Sequence, residues 1–148
     1  MISSRIKAGR SVISYAGILL CIIIFSAAAA IAGGPVDVSV DISPELKTGT
    51  QPDQVVFIFA KAVRGPKAPL AAVKVRVSDL PVTVRLDDSK ALMPMLRISN
   101  FDEVVLSARI SKSGGAMKQS GDLEGQSPPV KTDGAGKPVE LTIDHIVK

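Results

Sequence analysis

Apolar and polar residues alternate through most of the chain beyond residue 35. Val36, Val38, Val40 and Ile42 stand against Asp37, Ser39 and Asp41, the period-two pattern of a strand with one buried and one wet face. After the turn-rich stretch 43–54, Val55 to Phe59 is apolar at every position, which predicts a strand covered on both faces and central in its sheet. Val73, Val75 and Val77 alternate with Lys74, Arg76 and Ser78, and Ser78-Asp79-Leu80-Pro81 predicts a turn into a strand over 82–86. Leu96 with Ile98, then Val104, Leu106, Ala108 and Ile110, and finally Val139, Leu141 and Ile143 continue the pattern. These seven short strands, with no soluble helix longer than a turn or two, predict an all-β fold. Two antiparallel sheets packed face to face, an immunoglobulin-like β-sandwich, bury all the apolar faces at once. The Cys-Trp-Cys core of antibody domains is not in the sequence, so the term describes architecture only. Residues 111–138 are rich in Gly, Ser, Pro and Lys and too long for an ordinary hairpin, which predicts a flexible loop, either a mobile flap or a contact surface.

The start of the chain follows a different pattern. From Val12 to Ala32 there is no charged residue, and at about 1.5 Å per residue that run reaches roughly 30 Å as a helix, the thickness of a hydrocarbon core. Arg5, Lys7 and Arg10 precede it without a nearby acid, so the positive-inside rule holds residues 1–11 in the cytoplasm as a basic tail and carries residues 33–148 across. Ala30-Ile31-Ala32 has the small-x-small form of a signal-peptidase site. The apolar run is nonetheless longer than an ordinary signal core, which favours a single uncleaved N-terminal transmembrane helix over 12–32. Cys21 has Leu20 before it, where lipidation needs a small residue.

Charge and inventory then narrow the chemistry. The chain carries 18 Lys and Arg against 14 Asp and Glu, but 18 less the three basic residues of the tail leaves 15, so the exported part is close to neutral. Outside the apolar run there is no Trp and no Tyr, and Phe57, Phe59 and Phe101 are the only aromatic rings. A stacking platform for bases is therefore missing, and nucleic acid is not an expected partner. Cys21 is the only cysteine and His145 the only histidine. This leaves no disulfide, no CxxC pair, no metal ligand set and no catalytic base beside a nucleophile, so the expectation is a protein that is not an enzyme and has no cofactor. His145, in Thr142-Ile143-Asp144-His145, reads as a strand-end side chain.

One tract remains, Arg85-Leu86-Asp87-Asp88-Ser89-Lys90-Ala91-Leu92-Met93-Pro94-Met95. A single acidic pair is too few oxygens for calcium. Asp88 or Ser89 can cap a turn over Lys90 to Met93 that Pro94 stops, placing Leu92 or Met93 as a plug over the end of the sandwich. The same tract can instead be a contact surface, with adaptable methionines beside a carboxylate pair suited to a basic partner segment. Asp87, Asp88, Leu92, Met93 and Met95 are accordingly the candidate partner-contact residues.

Between Val56 and Gly125 the chain also carries a recognisable series: Phe-Ile-Phe-Ala-Lys-Ala, Leu-Pro before a strand, Leu-Asp-Asp-Ser with Met-Pro, and Ala-Arg-Ile-Ser-Lys-Ser-Gly leading to Gly-Asp-Leu-Glu-Gly. In this order the series resembles the C-terminal periplasmic domain of the cytochrome c-type biogenesis family CcmI/CycH. The helical-repeat region that the family credits with apocytochrome capture has no counterpart among these residues, where no 34-residue helical repeat is found. The resemblance implies a membrane-anchored periplasmic accessory factor in the bacterial inner membrane that docks on cytochrome c maturation proteins or apocytochrome c. Another component would then form the thioether bonds. The alternative is a non-enzymatic envelope module that binds or stabilises another membrane complex.

Overall fold

A computed structural model describes residues 33–133 and 136–148. The predicted cytoplasmic tail and transmembrane helix lie outside the described residues, among which no helix is long and apolar enough to cross a membrane. Among the described residues nine strands follow in order: β1 (Val36–Ile42), β2 (Val55–Ala62), β3 (Pro69–Arg76), β4 (Val82–Leu86), β5 (Glu103–Ser111), β6 (Leu123–Gln126), β7 (Val130–Lys131), β8 (Val139–Ile143) and β9 (His145–Ile146). One turn of helix, Pro44–Lys47, joins β1 to β2.

The strands form two sheets, in the orders β4-β1-β8 and β3-β2-β5-β6-β9, with β7 paired to the start of β5. Alternation explains the first. Val36, Val38, Val40 and Ile42 of β1 are all buried, with Asp37, Ser39 and Asp41 on the wetter face. β2 lies between β3 and β5, as its unbroken apolar run predicts. Val56, Ile58 and Ala60 point into the core with Val104, Leu106, Ala108 and Ile110 of β5, while Phe57 is buried on the opposite face. Each Val, Leu or Ile buried this way contributes roughly 1.5–3 kcal/mol relative to exposure.

The structure departs from the sequence reading in three places. β1 and β8 pair in parallel, Val38 beside Val139 and Ile42 beside Ile143, so the sandwich is not wholly antiparallel. Leu96 and Ile98 form no strand: Ile98–Asn100 is a single 3-10 turn, and Ile98, 1% exposed, drops into the core instead of lying along a sheet. The segment 111–138, expected as a flexible loop, contains β6 and β7, and with β9 after the last expected strand and the Leu96–Ile98 strand lost, nine strands stand among the described residues where seven were expected. β6 escaped the pattern because its inward positions are Leu123 and Gly125, and glycine gives no hydrophobic signal. Gly125 is required there, because a Cβ would run into the carbonyl of Thr142 where β6 and β8 meet across the core.

Candidate interaction surface

The connection from β4 to β5 holds the candidate tract. Leu86 ends β4 with its side chain fully buried. Asp87 then caps the 3-10 turn Asp88–Lys90: its Oδ1 accepts from the backbone N–H of Ser89 at 2.9 Å and from the Ser89 hydroxyl. The hydroxyl bond is the main cause holding the Asp87 carboxyl below its ordinary value, with Lys90 and Arg85 adding to the effect. Asp88 has a different task. Its carboxylate reaches the next turn, accepting from the Ser99 N–H at 3.1 Å and the Ser99 hydroxyl at 2.6 Å. The cap is therefore Asp87, not Asp88 or Ser89, and both carboxylates are engaged within the chain.

Beyond the cap the chain closes onto the edge of β3. Ala91 bridges Ala71, and the Leu92 N–H donates to the Leu70 carbonyl at 3.2 Å. This fixes the next residues on the outside of that edge. Leu70 and Ala71, both fully buried, already fill the core behind it. Leu92 and Met93 are each 56% exposed and Met95 84%, so neither Leu92 nor Met93 plugs the sandwich; Ile98 does. The carboxylates create no isolated acidic patch either, since Lys90 and Arg85 lie close enough to Asp87 to act on its charge, and Arg85 also pairs with Asp37 at 2.9 Å. The five candidate residues thus divide into Asp87 and Asp88, turned to internal bonds, and Leu92, Met93 and Met95, turned to solvent.

The same end of the sandwich receives the start of the described chain. The Gly33 N–H donates to the Ser99 carbonyl at 3.0 Å, and the Gly34 N–H to the Thr132 carbonyl. A Cβ on Gly33 would come within 2.9 Å of the Phe101 carbonyl oxygen, so the residue sits in a close-fitting seat. Beside it a cleft of ≈ 480 Å³ opens between Val63 and Arg64, the 100–103 segment, and 131–133. The motif reading missed this end because its parts come from four separated stretches.

At the far end, the connection 112–122 folds back over the outer face of the larger sheet. Arg109 lies buried over the Phe57 ring at 5.5 Å, donates to the Ala116 carbonyl, and faces Asp122, whose side chain is fully buried, at 3.7 Å. Asp122 also accepts from the N–H groups of Lys112 and Gln119 at 3.0 and 2.9 Å. His145 stands at the start of β9, a strand end as expected, with its half-exposed ring 2.8 Å from Asp144 and 3.9 Å from Glu124. Among the described residues no three His, Cys, Asp or Glu side chains are arranged to hold a metal ion.

Comparison with known proteins places this architecture. Residues 36–144 match the family model of the cytochrome c-type biogenesis protein H Ig-like domain. Over 118 residues, 80% of this chain, the sequence is 44% identical to the cytochrome c-type biogenesis protein CycH of Pseudomonas aeruginosa. The chain spans 28% of that relative's length. No solved structure matches.

Proposed function

Because this chain belongs to the CycH family of cytochrome c-type biogenesis proteins, carrying its Ig-like domain, we propose that it is a non-enzymatic accessory factor in cytochrome c maturation. In this reading the apolar run 12–32 anchors it in the bacterial inner membrane and residues 33–148 lie in the periplasm. There the sandwich docks on maturation proteins or on apocytochrome c. The observation that carries the reading is the 44% identity, which extends over most of the sandwich instead of a short motif. Two further features support it. The chain has one histidine and one cysteine, too few for thioether chemistry of its own or for a two-ligand haem site. The carboxylates of the candidate tract have internal partners, so attraction of a basic peptide by Asp87 and Asp88 is not needed for the reading.

Deleting the gene tests it. Covalently haem-stained c-type cytochromes should fall while b-type cytochromes stay normal, and expression of the full chain should restore them. Unchanged c-type cytochromes in a strain without a paralogue would show that the chain has another role.

A further inference from the structure

We infer that the tip formed by Leu92, Met93 and Met95 is seated in the surface of the lipid bilayer, holding the sandwich against the membrane end-on. The inference rests on the anchor reading above and adds which surface of the domain meets the lipid.

The first argument is where the chain outside the described residues ends. The aliphatic run closes at Ala32, and the next residue, Gly33, is already hydrogen-bonded to Ser99 at 3.0 Å and fitted against Phe101. In the sequence no residue stands between the apolar run and that seat. Met95 is four residues before Ser99, so at the reach of an extended chain it lies within about 14 Å of that anchor point. The interfacial layer of a bilayer is several Å deep on each side, so a helix ending at residue 32 brings this end, and not the opposite one, to the headgroups.

The second argument is composition. A soluble surface rarely presents several large apolar side chains in succession, and here Leu92, Met93 and Met95 are 56%, 56% and 84% exposed within four positions. Lys90 and Arg97 flank them on either side. That is the arrangement of an interfacial contact: apolar groups enter the acyl boundary by about 5–10 Å while cations remain with anionic headgroups. The Leu92 bond to Leu70 and the Asp88 bonds to Ser99 hold the tip at both of its ends, so little conformational entropy is lost on insertion.

The sequence contains no tryptophan, so an introduced one is the sole indole reporter. Full-length Met95→Trp and, as a control on the 112–122 connection, Met117→Trp would be reconstituted into phosphatidylethanolamine and phosphatidylglycerol vesicles, with and without brominated acyl chains. Both positions are solvent-exposed, at 84% and 78%, so neither substitution should disturb folding. The expected result is blue-shifted emission from residue 95 that loses most of its intensity to brominated lipid, with residue 117 unshifted and unquenched. Retention of the chain after a carbonate wash with residue 95 no more quenched than residue 117 would overturn the seating and leave the anchor standing. A blue shift without quenching by brominated lipid would mean that protein, a partner or a second copy, covers the tip, and would also overturn it. Release of the chain by carbonate would refute the anchor reading and the seating with it.

Discussion

Two connections leave β5 and its neighbours in opposite ways. Residues 87–102, between β4 and β5, and residues 112–122, between β5 and β6, both use an aspartate to hold a turn in place. Asp88 ties its turn to Ser99 in the open. Asp122 ties Lys112, Gln119 and Arg109 together with its side chain fully buried. The second connection covers charge and an aromatic ring on the outer face of a sheet, exposing Met117 as its one large apolar side chain. The first spends its polar groups on backbone and leaves three large apolar side chains wet. Where water is excluded, the carboxylate is bound up with stability. Where water has access, the carboxylate only shapes a turn, and the apolar residues beside it are available to something outside the chain.

Asp122→Ala should break that comparison most severely. Removing one partner of a buried ion pair strands the other, here Arg109, at a cost of about 3–5 kcal/mol. Urea unfolding of the full chain in detergent measures it, and a loss below about 1 kcal/mol would show that the 112–122 connection does not close the sheet. Asp88→Ala removes two bonds that water can replace, so the same measurement should show about 1 kcal/mol.

A smaller effect should appear in acid. Asp37 is held below its ordinary value of 3.8, first by the hydrogen bond from Arg85, and Asp87 is lowered, first by the Ser89 hydroxyl. A carboxyl whose folded pKa is depressed binds its proton more readily when unfolded. Its contribution is therefore complete above 3.8 and is lost as pH falls through the lower folded value. Asp37→Asn with Asp87→Asn should lower the melting temperature slightly at neutral pH, less than Asp88→Ala does because both groups are solvent-screened, and should flatten its fall below 3.8, where variant and parent converge. The smallest change is expected from Leu92→Ser, Met93→Ser and Met95→Ser together. Exposed side chains away from the core should shift stability by no more than about 0.5 kcal/mol. A larger loss would mean that the tip packs on the fold after all.

Much of the sandwich is legible in the sequence. β1 and the Val82–Leu86 strand follow from alternation because each turns one row of β-branched or aliphatic side chains inward, and β2 follows from its unbroken apolar run, covered on both faces. β6 was hidden by Gly125, and β7 and β9, two residues each, are too short for any period to show. Within the candidate tract, a capped turn after Leu86 was legible but its place was not: it spans Asp88–Lys90 and ends at Ala91, instead of running over Lys90 to Met93 and stopping at Pro94. Nor was the identity of the cap, because Asp87, Asp88 and Ser89 all satisfy the same local chemistry and only the position of Ser99, eleven residues beyond Asp88, assigns Asp88 elsewhere.

Local order along the chain was enough to say which side chains leave water, because a strand of period two has only two faces and the aliphatic one must be covered. It was also enough to mark an apolar run of 21 residues, 12–32, and its basic flank. Only the folded chain decided that β8 runs parallel to β1, that Ile98 and not Met93 fills the end of the core, and that Gly33 is bonded to Ser99 in the connection that carries Leu92, Met93 and Met95. Those are meetings between residues far apart in sequence. They depend on which surfaces remain open after the sheets have paired, and no local pattern carries that information.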